Sequence, residues 1–222
     1  MRFESVTLDL DGTLLDTIAD LAAGCNAMLV ELGRAPRSQA EIHSFVGKGM
    51  AVLVERCLSD GAPPAPALLA DGIAVFQKHY TALNGSATRI YPGVVEGLDA
   101  LRALGLPLAV VTNKPAAFTV PLLARMGLHT YFAAVVSGDT LPYKKPRPEP
   151  ILHACALLGS QPAANLHIGD SANDIDAARA AGSPVFCVPY GYNEGRPVDS
   201  ADCDALVSSL VEAARFVADR SR

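Results

Sequence analysis

From Tyr91 onward, short apolar runs alternate with longer segments of helical spacing, and this alternation constrains the fold more than any other feature of the chain. The runs at 108–111, 134–136, 166–168 and 185–188 are rich in Val, Leu and Ile and too short to be buried helices. The segments at 94–104, 116–126, 149–158 and 172–181 carry apolar residues at helical intervals. Apolar strands separated by helices read as a parallel sheet covered on both faces. Val6, Thr7, Leu8 and Leu10 form one further strand, expected over 6–10, that is too apolar to be left outside the sheet. The expected fold class is α/β, a Rossmann-like, doubly wound parallel sheet.

Between that first strand and the others lies a block with helical spacing only. Asp16-Thr17 can cap a helix whose apolar positions are Ile18, Leu21, Ala22, Cys25, Met28, Leu29 and Leu32, and Gly33 stops it. Shorter helices are expected over 40–45 and 50–58. A Pro/Ala loop follows at 61–66, and Leu68, Leu69, Ile73, Phe76, Tyr80 and Leu83 mark a fourth helix. The chain therefore divides into a discontinuous α/β core, residues 1–15 and 88–222, and an inserted α-helical cap, residues 16–87, with the return hinge at Ser86-Ala87-Thr88. A length of 222 residues suffices for one core and a smaller appended domain.

Charge and cysteine usage exclude several function classes. A net charge of -5, with no basic cluster longer than Lys144-Lys145, argues against a nucleic-acid partner. No apolar run approaches 18 residues, which argues against a membrane partner, and Met1-Arg2-Phe3-Glu4 leads into the first strand without the features of a signal peptide. The five cysteines are scattered singly, without C-x-x-C, and read as apolar residues of a reducing compartment. A cytoplasmic protein is expected. Oligomeric state leaves no mark in the sequence.

Ligands of doubly wound sheets bind beyond the carboxyl ends of the strands, so polar residues are expected there. They occur as Asp9-Leu10-Asp11, Thr112-Asn113-Lys114, Ser137-Gly138-Asp139 followed by Lys144-Lys145, and Gly169-Asp170-Ser171-Ala172-Asn173-Asp174. Alternation along a strand puts Asp9 and Asp11 on one side, where two acids repel each other unless a cation or a shared proton is used. The set suits phosphoryl transfer to a carboxylate. A hard divalent cation, Mg²⁺ above all, neutralises charge between an anionic nucleophile and an anionic phosphate, with Asp9, Asp170 and the main-chain carbonyl of Asp11 as ligands. Thr112 offers a hydroxyl and an N–H to the phosphoryl oxygens, and Lys145 a fixed positive charge. Asp11 is placed to protonate the leaving oxygen and then to activate water.

Asp9-Leu10-Asp11-Gly12-Thr13, Thr112-Asn113, Lys145-Pro146-x-Pro148 and Gly169-Asp170-Ser171-x-Asn173-Asp174 resemble, in order, the four motifs of the haloacid dehalogenase-like hydrolase superfamily, and the resemblance covers essentially the whole chain. The helical block is similar to that family's small α-helical cap. The resemblance implies a nucleophile at Asp9, a motif lysine at Lys145 because it directly precedes Pro146, and Asn113 beside Thr112 at the substrate. It also implies a supporting position for Asp174 and Ser171 behind the ligands, Asp174 orienting Lys145 or Asp170; ligation of the metal, or a first-turn helix acid, are the other readings of Asp174. Dehalogenases of the family lack the second acid, so Asp11 points to a phosphatase or mutase. Phosphonate-cleaving relatives use a cap lysine, a role that Lys48, between Gly47 and Gly49, fits poorly. Val111-Thr112-Asn113-Lys114-Pro115, Tyr143-Lys144-Lys145-Pro146-x-Pro148 and Tyr190-Gly191-Tyr192-Asn193-x-Gly195 most resemble bacterial phosphoglycolate phosphatases. A small phosphorylated metabolite is the partner this implies. Two alternatives stay open: a phosphatase for another small phosphoester, such as N-acetylmuramic acid 6-phosphate, and a β-phosphoglucomutase-like phosphosugar mutase. The loop at Gly47 and Lys48 is read as closing over the site to recognise a small carboxylate, or as a simple break between helices. His167 and Cys187 are read as packed core residues.

Overall fold

The computed structural model describes residues 3–220, so the expected outer limits of the core, residues 1–2 and 221–222, lie outside the described residues. Along the chain, β1 (Ser5–Leu8) is followed by a short strand β2 (Leu15–Asp16) and four helices. These are α1 (Ile18–Glu31), α2 (Gln39–Phe45), α3 (Met50–Leu58) and α4 (Pro66–Leu83), after which β3 (Arg89–Ile90) returns the chain. The remainder runs α5 (Val94–Ala103), β4 (Leu108–Val111), α6 (Ala116–Arg125), β5 (Ala134–Val136), α7 (Glu149–Leu158), β6 (Asn165–Gly169), α8 (Ala172–Ala181), β7 (Val185–Cys187), β8 (Ala205–Leu206) and α9 (Leu210–Arg220). Among the described residues no helix is long and apolar enough to cross a membrane.

Six strands form one parallel sheet in the order β5, β4, β1, β6, β7, β8, which puts β1 in the middle. Alternation sorts the side chains between two cores. Val6, Leu8, Val110, Leu166 and Ile168 pack with residues of α5 and α9, whereas Ala109, Val111, Val185 and Cys187 pack with residues of α7 and α8. On that second face the centre of the sheet is polar. Asn165 Nδ2 donates to Thr7 Oγ1 (3.0 Å), and Thr7 lies 2.9 Å from His167 Nδ1. Beyond the expected last strand, β8 extends the sheet edge, and α9 covers one face through Leu210, Ala213, Ala214 and Val217.

The first strand ends two residues earlier than the expected 6–10. Asp9 N still donates to Ile168 O (2.9 Å), but Leu10 O accepts from the amides of Thr13, Leu14 and Leu15, so the chain turns there instead of continuing the ladder. Gly12, with φ +90°, completes the turn, in a conformation that costs a side-chain-bearing residue energy. Asp9 therefore stands at the strand end and Asp11 in the turn after it, so their placement follows from the turn and not from alternation along a strand.

The helices α1 to α4 enclose an apolar cluster that includes Phe76 and Tyr80 and is joined by Phe118 of α6 and Tyr192 from the loop after β7. Two segments join this cap to the sheet, and they pair with each other: β2 and β3 form an antiparallel ribbon, Leu15 opposite Ile90 and Asp16 opposite Arg89. The buried carboxylate of Asp20 accepts from the amides of Gly85, Ala87 and Thr88 and from Thr88 Oγ1 at 2.6–3.0 Å, which pins the expected hinge to α1.

Candidate active site

Asp9, Thr112 and Asp170 each follow a strand directly, on β1, β4 and β6, and Lys145 reaches the same point from the loop after β5. Lys145 Nζ lies 3.0 Å from Asp9 Oδ1 and 2.6 Å from Asp174 Oδ1, and its side chain is buried, while the neighbouring Lys144 is exposed. Asp9 Oδ1 also accepts from Leu10 N (2.7 Å), whereas Oδ2 has no donor among the described residues. Each of Asp9, Asp170 and Asp174 offers an oxygen within 4.8 Å of the others'.

Asp174 is the anchor of the group. It sits in the first turn of α8, fully buried, and collects five donors: Lys145 Nζ and His167 Nε2 at Oδ1, and Asp170 N, Ser171 N and Ser171 Oγ at Oδ2. Burial would raise its pKa, but Lys145 and His167 outweigh that and hold the carboxyl well below its usual range. His167 is indeed packed inside the sheet. Burial pushes its pKa down, and because the ionised Asp174 carboxylate can only accept, Nε2 carries the ring proton and donates to it, which leaves Nδ1 to accept from Thr7 Oγ1. Ser171, in turn, completes a capping box with Asp174.

Asp170 accepts from Thr13 Oγ1 (2.9 Å) and from Tyr192 N (2.7 Å). The backbone is close on both sides: a Cβ added at Gly191 would stand 2.2 Å from Asp170 Cβ, and one at Gly12 2.6 Å from its Oδ2. Burial first, then the charges of Asp174 and Asp9, push Asp170 far above the usual carboxylate range. Burial likewise raises Asp9 to about 7, against the pull of Lys145. Three carboxylates thus cluster with one ammonium, which contacts Asp9 and Asp174 but not Asp170, and the charge deficit, together with an all-oxygen donor set, fits a hard metal cation. Since Asp174 is filled by its donors, Asp9 and Asp170 are the carboxylates with lone pairs to spare.

Asp11 stands apart from this cluster. Its Oδ1 accepts from Thr17 Oγ1 (2.7 Å), and Lys114 Nζ lies 3.2 and 3.3 Å from its two oxygens. Asn113 has its amide fully used: Nδ2 donates to Gly47 O and Lys145 O, and Oδ1 accepts from Lys145 N, all at 2.9 Å. It braces the Lys145 loop and ties it to the cap. Gly47 lines the cavity between cap and core, together with Asp9, Asp11, Thr112 and Asn113. Lys48 does not line it; its ammonium is 3.3 Å from Glu194, on the half-exposed rim. In the sequence, Lys114 stands in a polar string at a strand end and Tyr80 at an apolar position of a cap helix, and neither placement brings the two together. Their common signal was a lysine directly after two polar site residues, and an aromatic at the end of the cap's last helix.

A parallel sheet with its acids and lysine gathered at β1, β4 and β6, beneath a helical insertion, is the architecture that the resemblance implied. The family model of the haloacid dehalogenase-like hydrolases matches residues 6–188, and the chain belongs to that family. It is 54% identical over 219 residues to a protein of Thiobacillus denitrificans named phosphoglycolate phosphatase, covering 98% of this chain and 96% of the relative. A protein of the same name from Nitrosospira multiformis is 53% identical, with the same two coverages. The crystal structure of a predicted phosphoglycolate phosphatase from Haemophilus somnus 129PT superimposes with a TM-score of 0.91 at 32% identity, covering 97% of this chain and 98% of that one.

Proposed function

We propose that the protein is a Mg²⁺-dependent phosphomonoesterase that hydrolyses 2-phosphoglycolate to glycolate and phosphate through an aspartyl-phosphate on Asp9. The observation that carries this reading is the carboxylate of Asp9, one oxygen held by Lys145 at 3.0 Å and the other free, at the mouth of a cavity it shares with Asp11 and Thr112. The names of the relatives supply the substrate.

Asp9, Asp170 and the main-chain carbonyl of Asp11 would hold Mg²⁺, which when bound neutralises phosphoryl charge. Asp9 Oδ2 attacks phosphorus, the bond to the substrate's bridging oxygen breaks, and that oxygen leaves with a proton from Asp11. Asp11 then takes a proton from water, which attacks phosphorus and releases phosphate, restoring the Asp9 carboxylate. Lys145 neutralises the phosphoryl oxygens, and Thr112 donates to them. Asp174, His167 and Ser171 fix Lys145 and the Asp170 loop without touching substrate. We also assign residues 16–87 to the cap and the remainder to the core; the β2–β3 ribbon that joins them and the apolar cluster built mainly by α1 to α4 support that division. Five free, buried cysteines support a reducing, cytoplasmic setting.

The test is a panel of 2-phosphoglycolate, hexose 6-phosphates, N-acetylmuramic acid 6-phosphate, nucleotides and pyrophosphate with Mg²⁺. The highest kcat/KM is expected for 2-phosphoglycolate, with one free phosphate per turnover. Preference for another ester would overturn the substrate, and phosphoryl transfer between sugar positions without phosphate release would overturn the reaction.

A further inference from the structure

Lys145 answers the phosphoryl group, which leaves a second buried lysine to be explained. Lys114 has a side chain only 4% exposed, and its Nζ lies 2.8 Å from Tyr80 OH, to which it donates, and 3.2 Å from Asp11. A buried ion pair is a poor device for stability alone, because desolvating two charges offsets most of their attraction. The contacts of Lys114 moreover join the two parts of the molecule: its ion-pair partner Asp11 belongs, like Lys114 itself, to a core loop, and Tyr80 to α4 of the cap. Among the described residues, Lys114 is the one lysine or arginine lining the cavity that opens on Asp9. The cavity's other walls include Leu21, Leu53, Phe76 and Phe118.

We infer that Lys114, with the Tyr80 hydroxyl, is the receptor for the substrate's carboxylate, and that binding exchanges that carboxylate for Asp11 as the partner of Lys114. This rests on the reading of the protein as a 2-phosphoglycolate phosphatase. In that substrate the leaving oxygen is separated from the carboxylate by a single methylene. Asp11, the acid for that oxygen, is in contact with Lys114, so the second anion of the substrate falls beside the same ammonium. Because Tyr80 OH accepts from Lys114, its own proton is left to donate to an incoming anion. The exchange releases Asp11 from its ion pair when a carboxylate-bearing ester has arrived. An ester that carries no carboxylate supplies no replacement anion at Lys114 and leaves Asp11 engaged.

The test compares 2-phosphoglycolate with 2-hydroxyethyl phosphate, which has the same chain and no carboxylate. Charge-assisted hydrogen bonds of this kind set the scale: in Lys114→Met the ratio of the two kcat/KM values is expected to fall by about 10- to 100-fold. Tyr80→Phe keeps the charge and should lower the ratio by a smaller factor, about 3- to 10-fold, and serves if Lys114→Met does not fold. Equilibrium titration of 2-phosphoglycolate onto Asp9→Asn, with and without Lys114→Met, should show the same loss in binding without turnover. Equal losses for both esters, or an unchanged ratio in Tyr80→Phe, would overturn the inference and reduce Lys114 to a structural part. If the wild-type protein itself fails to turn over 2-phosphoglycolate, it is the functional reading that fails.

Discussion

Asp174→Asn is the substitution that most directly probes how the site is held together, because it keeps the shape and removes the charge. Asp174 receives five donors at two oxygens, and an asparagine has one oxygen to offer. If that oxygen stays with Ser171 and Asp170, the new amide group faces the Lys145 ammonium and the His167 Nε2–H, donor against donor. Breaking a buried ion pair costs about 3–5 kcal/mol. Lys145 retains Asp9 at 3.0 Å, which argues for the lower end. Relief of repulsion on Asp9 and Asp170 works in the other direction, but the depressed pKa of Asp174 shows that its ionised form is a net gain in the fold. The expected loss is about 3 kcal/mol, or a Tm lower by about 6–12 °C for a chain of this size. Urea denaturation of metal-free protein near pH 7.5 measures it, and Lys145→Met with the double variant closes the cycle. A loss under about 1 kcal/mol, or the same loss in the Lys145→Met background, would refute the assignment of Asp174 as the partner that orients Lys145.

Metal-free protein should become less stable as pH rises from about 4 to about 7, since Asp9, raised to about 7, and Asp170 hold protons in the fold that the unfolded chain has already released. Added Mg²⁺ should flatten that slope, and melting curves across pH with and without chelator check both effects. Asp9→Asn should abolish phosphate release, while Asp11→Asn should slow formation and hydrolysis of the aspartyl-phosphate by about 10²- to 10⁴-fold each in rapid-quench measurements. Asp20→Ala should strand the donors of Gly85, Ala87 and Thr88, lower stability by about 2–4 kcal/mol, and raise the rate of proteolysis between residues 84 and 89.

The sequence by itself determined the parallel α/β core, the helical insertion after β1 and the strand ends at which Asp9, Thr112 and Asp170 stand, because apolar period and strand-end polarity are local properties of the chain. The spacing of Leu210, Ala213, Ala214 and Val217 in α9 is a local property of the same kind. The two-residue β8, half exposed, carries no such periodicity. Pairing was not legible. That Asp174 is saturated by donors, that Asn113 spends its amide on Gly47 and Lys145, that Lys48 turns outward to Glu194 and that Lys114 meets Asp11 and Tyr80 all depend on contacts between residues up to more than a hundred positions apart. Periodicity says which face of an element is buried; only the packed structure decides which charge lies against which, since a buried ion is stable only beside partners that the tertiary fold brings to it.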